Sequence, residues 1–236
     1  HPHRGAQRRQ LRPVRLDPHA PLDGPAGAGK STIAKLAAKR LGFVYVDTGA
    51  MYRTMALHFL REGIDPKDET AVGAACAGVD VTITYKDGVQ QVLLNGENVS
   101  GLIRSEEVGN MASAISGYLP VREKLVELQK ELAKRENVIM DGRDIGTCVL
   151  PEAPVKIYLT ASVSVRAGRR YKELADRGVR ADIKEIERDI EERDYRDMHR
   201  EHSPLMQAED AILLDSSEMT LEAVSYTHLT LPTTPY

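Results

Sequence analysis

Cysteine is scarce: Cys76 and Cys148 are the only two in 236 residues, far apart and in no Cys-x-x-Cys spacing. That excludes a disulfide framework, argues against a zinc site and suits a reducing compartment. Apolar runs of about 18 residues are also missing, which excludes a membrane-spanning helix, and the opening segment has no apolar stretch of the signal-peptide kind. Neither charge sign dominates. With 32 basic and 35 acidic residues the formal net charge is -3, so a general affinity for nucleic acid is not expected and any basic patch must be local. Residues 1–20 hold five arginines but no lysine or serine, and their prolines break helices. A disordered or non-native extension over 1–21 therefore fits better than a targeting peptide. The remaining length suits one soluble domain with insertions, expected in the cytoplasm.

What is present alternates between strand-like and helical stretches. "STIAKLAAKRLG" (31–42) has a helical apolar period at Ile33, Leu36, Ala37 and Leu41 and a glycine stop at Gly42. "FVYVD" (43–47), "ENVIMDGRD" (136–144) and "APVKIYLTAS" (153–162) carry short apolar runs followed by polar or helical sequence. The alternation predicts an α/β fold with a parallel sheet covered by helices on both faces. Residues 81–99 break the pattern with three short runs split by Asp87-Gly88 and Asn95-Gly96. These are favoured two-residue hairpin turns and predict a small antiparallel three-stranded insert. Charged helices follow over 120–135 and 162–196. Most of their glutamates read as a solvated face, but the arginines at 166, 169, 170, 177 and 180 surround a glycine-containing loop able to swing over a phosphate.

The sharpest motif is "DGPAGAGKST" (23–32), in which Gly24, Gly29, Lys30 and Ser31 satisfy G-x-x-x-x-G-K-[ST] and a helix follows at once. Glycines let backbone N–H groups ring a phosphate, and the helix N-terminus adds positive potential. Lys30 reaches the β and γ phosphates, and Ser31 offers a hydroxyl to Mg²⁺. A phosphate loop serves switches, motors and kinases alike, but no Asn-Lys-x-Asp element for guanine occurs here. Asp141 ends an apolar strand, where a carboxylate can help hold the Mg²⁺ shell; capping a helix is the plainer alternative. Arg53, Arg143, Arg193 and Arg200 suit bidentate phosphate contact and would screen two anionic substrates from each other. Arg143 and Asp144 have a plainer alternative too, a pair at the surface.

Eight blocks in order, "DGPAGAGKST", "DTGAMYR", "SGLIRSEEVGNMAS", "VREKL", "DGRDIGT", "APVKIYLTAS", "ERDYRDMHR" and "AEDAILLDSS", resemble the bacterial cytidylate (CMP/dCMP) kinases from about Leu22 to Val224. The resemblance implies a P-loop kinase fold with an acceptor-binding insert at about 50–116 and a helical lid at about 166–181. It implies that Gly24, Pro25, Ala26, Gly27, Ala28, Gly29, Lys30, Ser31 and Thr32 cradle ATP, with Arg169 and Arg170 reaching over it from the lid. Thr48 would line the acceptor pocket, and Arg53, Arg143 and Arg200 would clamp the acceptor phosphate. Ser113, Arg122 and Asp144 would read the cytosine edge, and Arg193 and Asp197 would contact the sugar. Lys30, Arg143, Arg200 and Asp141 would carry the catalysis, with Ser31 and Asp141 at the metal. The partners implied are CMP, dCMP and ATP, without nucleic acid or membrane, and the protein would act as a monomer in pyrimidine metabolism. Taken alone, Ser113 reads as a small helix residue, Arg122 as a surface residue and Asp197 as a partner for Arg193 four residues earlier. A kinase for another nucleotide such as UMP, and a nucleotide-binding protein without turnover, stay open.

The chain departs from that pattern at both ends. His19 and Pro21 interrupt the strand that should run into the phosphate loop, and a proline in a central strand deletes a ladder hydrogen bond. The first strand is therefore expected to be absent, shortened or displaced. "SYTHLTLPTTPY" (225–236) is threonine-rich with two prolines and reads as a non-native or disordered tail after a helix at 219–224.

Overall fold

A computed structural model describes residues 19–218 and Thr220. The arginine-rich opening before His19, the helix expected at 219–224 and the tail from 225 fall outside the described residues, Thr220 apart. Five parallel strands form the main sheet: β1 (His19–Asp23), β2 (Val44–Asp47), β6 (Val138–Gly142), β7 (Ile157–Thr160) and β8 (Ile212–Asp215), in the order β2-β6-β1-β7-β8. The expected antiparallel insert is a separate sheet of β3 (Val81–Lys86), β4 (Val89–Leu94) and β5 (Glu97–Asn98). Asp87 and Gly88 (φ 52° and 76°) and Asn95 and Gly96 (φ 49° and 83°) make its two turns. Positive φ at both central positions matches the right-handed strand twist, which is why Asp-Gly and Asn-Gly stand there.

The helices are α1 (Lys30–Leu41), α2 (Thr48–Arg61), α3 (Glu69–Ala77), α4 (Glu106–Ile115), α5 (Leu119–Arg135), α6 (Val163–Asp176) and α7 (Ile183–Met198). Strand β6 shows how the layers are built: Val138 and Met140 enter one core and Ile139 the other, so an uninterrupted apolar run is buried on both faces. On one face Ala34, Ala37 and Ala38 let α1 lie close to Leu22, Ile157 and Leu159. On the other, Met51, Met55 and Phe59 of α2 and Leu125 of α5 pack with Val81, Val92 and Leu94 of the insert. Both sheets are thus of the expected kind, one parallel and one antiparallel. Among the described residues no helix is long and apolar enough to cross a membrane, and Cys76 and Cys148 are unbridged.

The first strand corrects the expectation. It is neither absent nor displaced, and at five residues it is as long as β6, pairing with it in register from His19↔Val138 to Asp23↔Gly142. His19, Ala20 and Pro21 therefore belong to the sheet rather than to an extension. The physical reason lies in the neighbour on the other side. Strand β7 reaches back only to Leu22 and Asp23, so Pro21 has a ladder on one side only, while Leu22 is sealed into the core at 2% exposure. The structure accommodates a proline that the rule for central strands disfavours.

Candidate active site

The phosphate loop leaves β1 at Gly24 and closes at α1. Gly24, Gly27 and Gly29 all have positive φ, and the α1 N-terminus has no acidic residue in its first turn, so its outward N–H groups and positive end are uncompensated. Lys30 is buried and donates to Pro25 O at 3.0 Å, which bends the loop over its own side chain. Burial, and then the Arg143 charge, push the Lys30 ammonium below its usual range. Helix α6 braces the loop from outside. Arg166 donates to Ala26 O (3.1 Å), and Arg169 to Ala28 O (3.4 Å) and Ser216 O (2.7 Å).

Arg166 corrects one sequence expectation. It is buried and bound by both guanidinium ends to Asp194 of α7 (3.0 and 2.6 Å), so it anchors the helix pair instead of standing free beside the glycine loop. The arginines nearer the glycine loop differ: Arg170 and Arg177 share only the exposed Glu173 (3.0 and 3.1 Å), and Arg180 is exposed.

Across a cleft of about 420 Å³ stand the other basic groups. Arg53, Arg143, Arg193 and Arg200 all line it, together with Thr48, Ser113, Arg122, Asp141, Asp144, Asp197, Arg169 and Arg170. From the loop, Ala26, Gly27, Gly29, Lys30, Ser31 and Thr32 line it; Gly24, Pro25 and Ala28 are buried and do not. Arg53 donates to Ile103 O (3.0 Å) and lies against Gly109, where a Cβ would meet its guanidinium at 3.2 Å. Arg143 pairs with Asp197 (3.3 Å), and Arg200 holds Ser116 Oγ (3.3 Å) and Ser203 O (2.8 Å). Burial lowers the guanidinium pKa of Arg53 and Arg200, and burial plus Arg143 brings that of Arg193 to about 10. Cations crowded and desolvated in this way bind anions strongly.

Several plain alternatives fail here. Arg122 is 3% exposed, not a surface residue; it pairs with Asp144 and donates to Ser116 O at 3.0 Å. Asp197 pairs with Arg143 rather than Arg193, and Arg143 and Asp144 do not pair with each other. Ser113 Oγ, Arg122 Nε and Arg200 Nε are buried without a hydrogen-bond partner among the described residues. Buried polar atoms left this way cost free energy unless a ligand satisfies them.

The carboxylates stand at the strand ends. Asp141 accepts from Tyr45 Oη at 2.5 Å, and its backbone O accepts from Thr48 Oγ1 at 2.6 Å. Burial, and then the neighbouring Asp47 charge, raise its pKa. Asp47 caps α2 through Ala50 N (3.1 Å), pairs with Arg104 (3.2 Å) and is bracketed by the Gln90 amide at 2.9 and 3.1 Å. Tyr45, Asp47, Gln90 and Arg104 escaped the sequence reading, as did Asp23. Asp23, 5% exposed, accepts from Ile145 N (2.9 Å) and Gly146 N (2.7 Å), and burial raises its pKa to about 6. Its place beside the phosphate loop was the one available signal.

Residues 20–231 match the family model described as Cytidylate kinase. A cytidylate kinase of Lactobacillus johnsonii is 49% identical over 203 residues, covering 86% of this chain and 88% of that protein. One from Leuconostoc mesenteroides is 50% identical over 203 residues, covering 86% and 91%. Among solved structures, a shikimate kinase from Bacteroides thetaiotaomicron aligns with 92% of this chain and 98% of its own at 15% identity and a TM-score of 0.47. With the family model spanning most of its length and relatives near half identity, the chain belongs to the cytidylate kinase family.

Proposed function

We propose that the protein transfers the γ-phosphoryl group of ATP to CMP and dCMP, forming CDP and dCDP in the cytoplasm as a monomer. The carrying observation is one cleft that joins the phosphate loop to four arginines and to the buried, unsatisfied Ser113, Arg122 and Arg200 atoms. Loop N–H groups and Lys30 hold the donor phosphates, while Arg53, Arg143 and Arg200 hold the acceptor phosphate. Both anions are thereby placed for in-line attack without a covalent enzyme intermediate. As charge spreads over the transferred group, Lys30 and Arg143 absorb it. Ser113, Arg122 and Asp144 form the polar set for the base, and Arg193 and Asp197 the set for the sugar. Arg169, already bonded to Ala28 O of the loop, and Arg170 would complete the ATP site from α6 and keep out water.

The residues present fit Mg²⁺ carried on ATP. Among the described residues no three His, Cys, Asp or Glu side chains gather into a metal cluster, so the phosphates would supply most of the ligands. Ser31 Oγ at the first turn of α1 and Asp141, with its Oδ2 tied to Tyr45, are the protein groups that would hold the ion. The ion would neutralise charge on the β and γ phosphates. The reading of a binding protein without turnover depended on a poorly supported loop, and the central β1 removes that ground.

ADP formation with ATP and Mg²⁺ against CMP, dCMP, UMP, AMP and GMP tests the proposal. CMP and dCMP are expected to exceed the others at least about tenfold in kcat/KM, because buried polar groups left unpaired penalise the wrong base. A preference for UMP or a purine would overturn the base assignment. Ser113→Ala is expected to reduce kcat/KM for CMP by about five- to tenfold while leaving the KM for ATP unchanged, the size of one neutral hydrogen bond. An unchanged CMP value would remove Ser113 from the base site.

A further inference from the structure

Asp23 makes contacts that substrate binding alone does not explain. It is the last residue of β1, opposite Gly142 of β6, and precedes the phosphate loop. Beyond Gly142 come Arg143 and Asp144, and then a π-helical turn at Ile145–Val149. The first N–H groups of any helical turn lack intrahelical partners. Asp144 stands at the N-cap position, where an aspartate ordinarily accepts them, yet its side chain makes no cap bond. Its carboxylate is paired with Arg122 instead. The N–H groups of Ile145 and Gly146 go to the two oxygens of Asp23, from a different strand. The approach is close: a Cβ on Gly146 would stand 3.3 Å from Asp23 Oδ2, and one on Gly142 would stand 2.8 Å from both the Ile145 side chain and Thr48 Oγ1.

We propose that Asp23 is a positioning residue for the acceptor nucleotide: by capping the Ile145–Val149 turn from β1, it frees the Asp144 carboxylate for Arg122 and the base and holds Arg143 in the cleft. The inference rests on the acceptor reading given above. Removing the cap leaves two buried N–H groups without acceptors, and Asp144, already at the N-cap position, is the residue placed to replace it. A rotation of Asp144 onto its own turn breaks the pair with Arg122 and unmakes the base-reading set. Asp23 thereby couples the strand that starts the donor loop to the turn that carries the acceptor contacts.

Asp23→Asn tests this, because an amide offers one acceptor oxygen and sets an NH₂ against the second N–H. Titration calorimetry with CMP, UMP and ATP, each without metal, is expected to show CMP about tenfold weaker and the CMP/UMP preference reduced about tenfold. ATP is expected to stay within threefold. Asp23→Ser, smaller and with one accepting oxygen, gives the same pattern if the asparagine variant does not fold. A merely structural role lowers the melting temperature but leaves the CMP/UMP ratio of the folded fraction intact, and that result overturns the inference. If the parent chain binds CMP and UMP equally, the acceptor reading falls and this inference with it. If the parent prefers CMP and the variants keep that preference, only this inference falls.

Discussion

Lys30→Met is expected to lower the rate of ADP formation by roughly 10²–10³-fold without unfolding the protein, the cost of removing one preorganised donor from the transferred phosphate. The side chain is buried in the loop, held by Pro25 O, and no other lysine lines the cleft. Its loss leaves the donor phosphates to the backbone N–H groups and the arginines opposite. Stability is expected to move the other way. The folded protein disfavours the Lys30 proton, so its pKa lies below the 10.5 of an unperturbed lysine. Between those values the unfolded chain binds more protons, and parent stability rises with pH. The methionine variant, which has no buried charge to desolvate, is therefore expected to melt at or above the parent temperature at neutral pH. That advantage should shrink as pH approaches 10.5. Assays and melts at pH 7 and pH 9.5 check both halves. Activity within tenfold of the parent would show that Lys30 does not carry the transition-state charge.

Gly24→Ala is expected to cost about 4 kcal/mol of stability or more, a size reached when backbone strain and an overpacked contact act together. Gly24 has φ 151°, a conformation that residues with a Cβ rarely adopt, and an added Cβ would stand 2.0 Å from Leu159 O of β7. The obstacle is backbone in the middle of a sheet, so no rotamer change relieves it. Relaxation has to part β1 from β7, whose pairing at Leu22 and Asp23 sets the start of the phosphate loop. For a domain of this size the melting temperature is expected to fall by roughly 8–16 °C. Calorimetry of the two proteins measures it. A drop under about 2 °C would mean that the loop can leave the strand by another path.

These two positions also show what was legible in the chain. Gly24 and Lys30 belong to a motif whose residues are neighbours in sequence and in space, so spacing alone exposed them. The turns at Asp87-Gly88 and Asn95-Gly96 were legible for the same reason, as each needs only local backbone geometry. Strand β1 was misread because the ladder geometry that tolerates Pro21 is set by where β7 begins, more than a hundred residues later. Asp23 meets Ile145 and Gly146 across a similar gap, and Gln90 reaches Asp47 from a different sheet. Arg166 reads like the other arginines of its run until α7 brings Asp194 beside it. Local turns and loop motifs thus emerge from the string of residues, whereas a carboxylate that serves another segment needs the register of the sheet.

The helix pair α6 and α7 has a mechanical consequence. It holds a small core of its own, Ala167 with Ile186 and Ile190, and the Arg166–Asp194 pair ties it at the phosphate-loop end. A hairpin built this way would turn as a stiff lever about its phosphate-loop end, where the Arg166–Asp194 pair and the bonds of Arg169 to Ala28 O and Ser216 O hold it. From Arg166 to Arg177 the arm is about 16 Å, at about 1.5 Å per residue, so a tilt of roughly 15° sweeps the far end by about 4 Å. A rotation about that end would carry Arg177 and Arg180 across a span comparable to a phosphate group. The free energy of such a stroke would be set by the few contacts at the pivot rather than by the length of the arm.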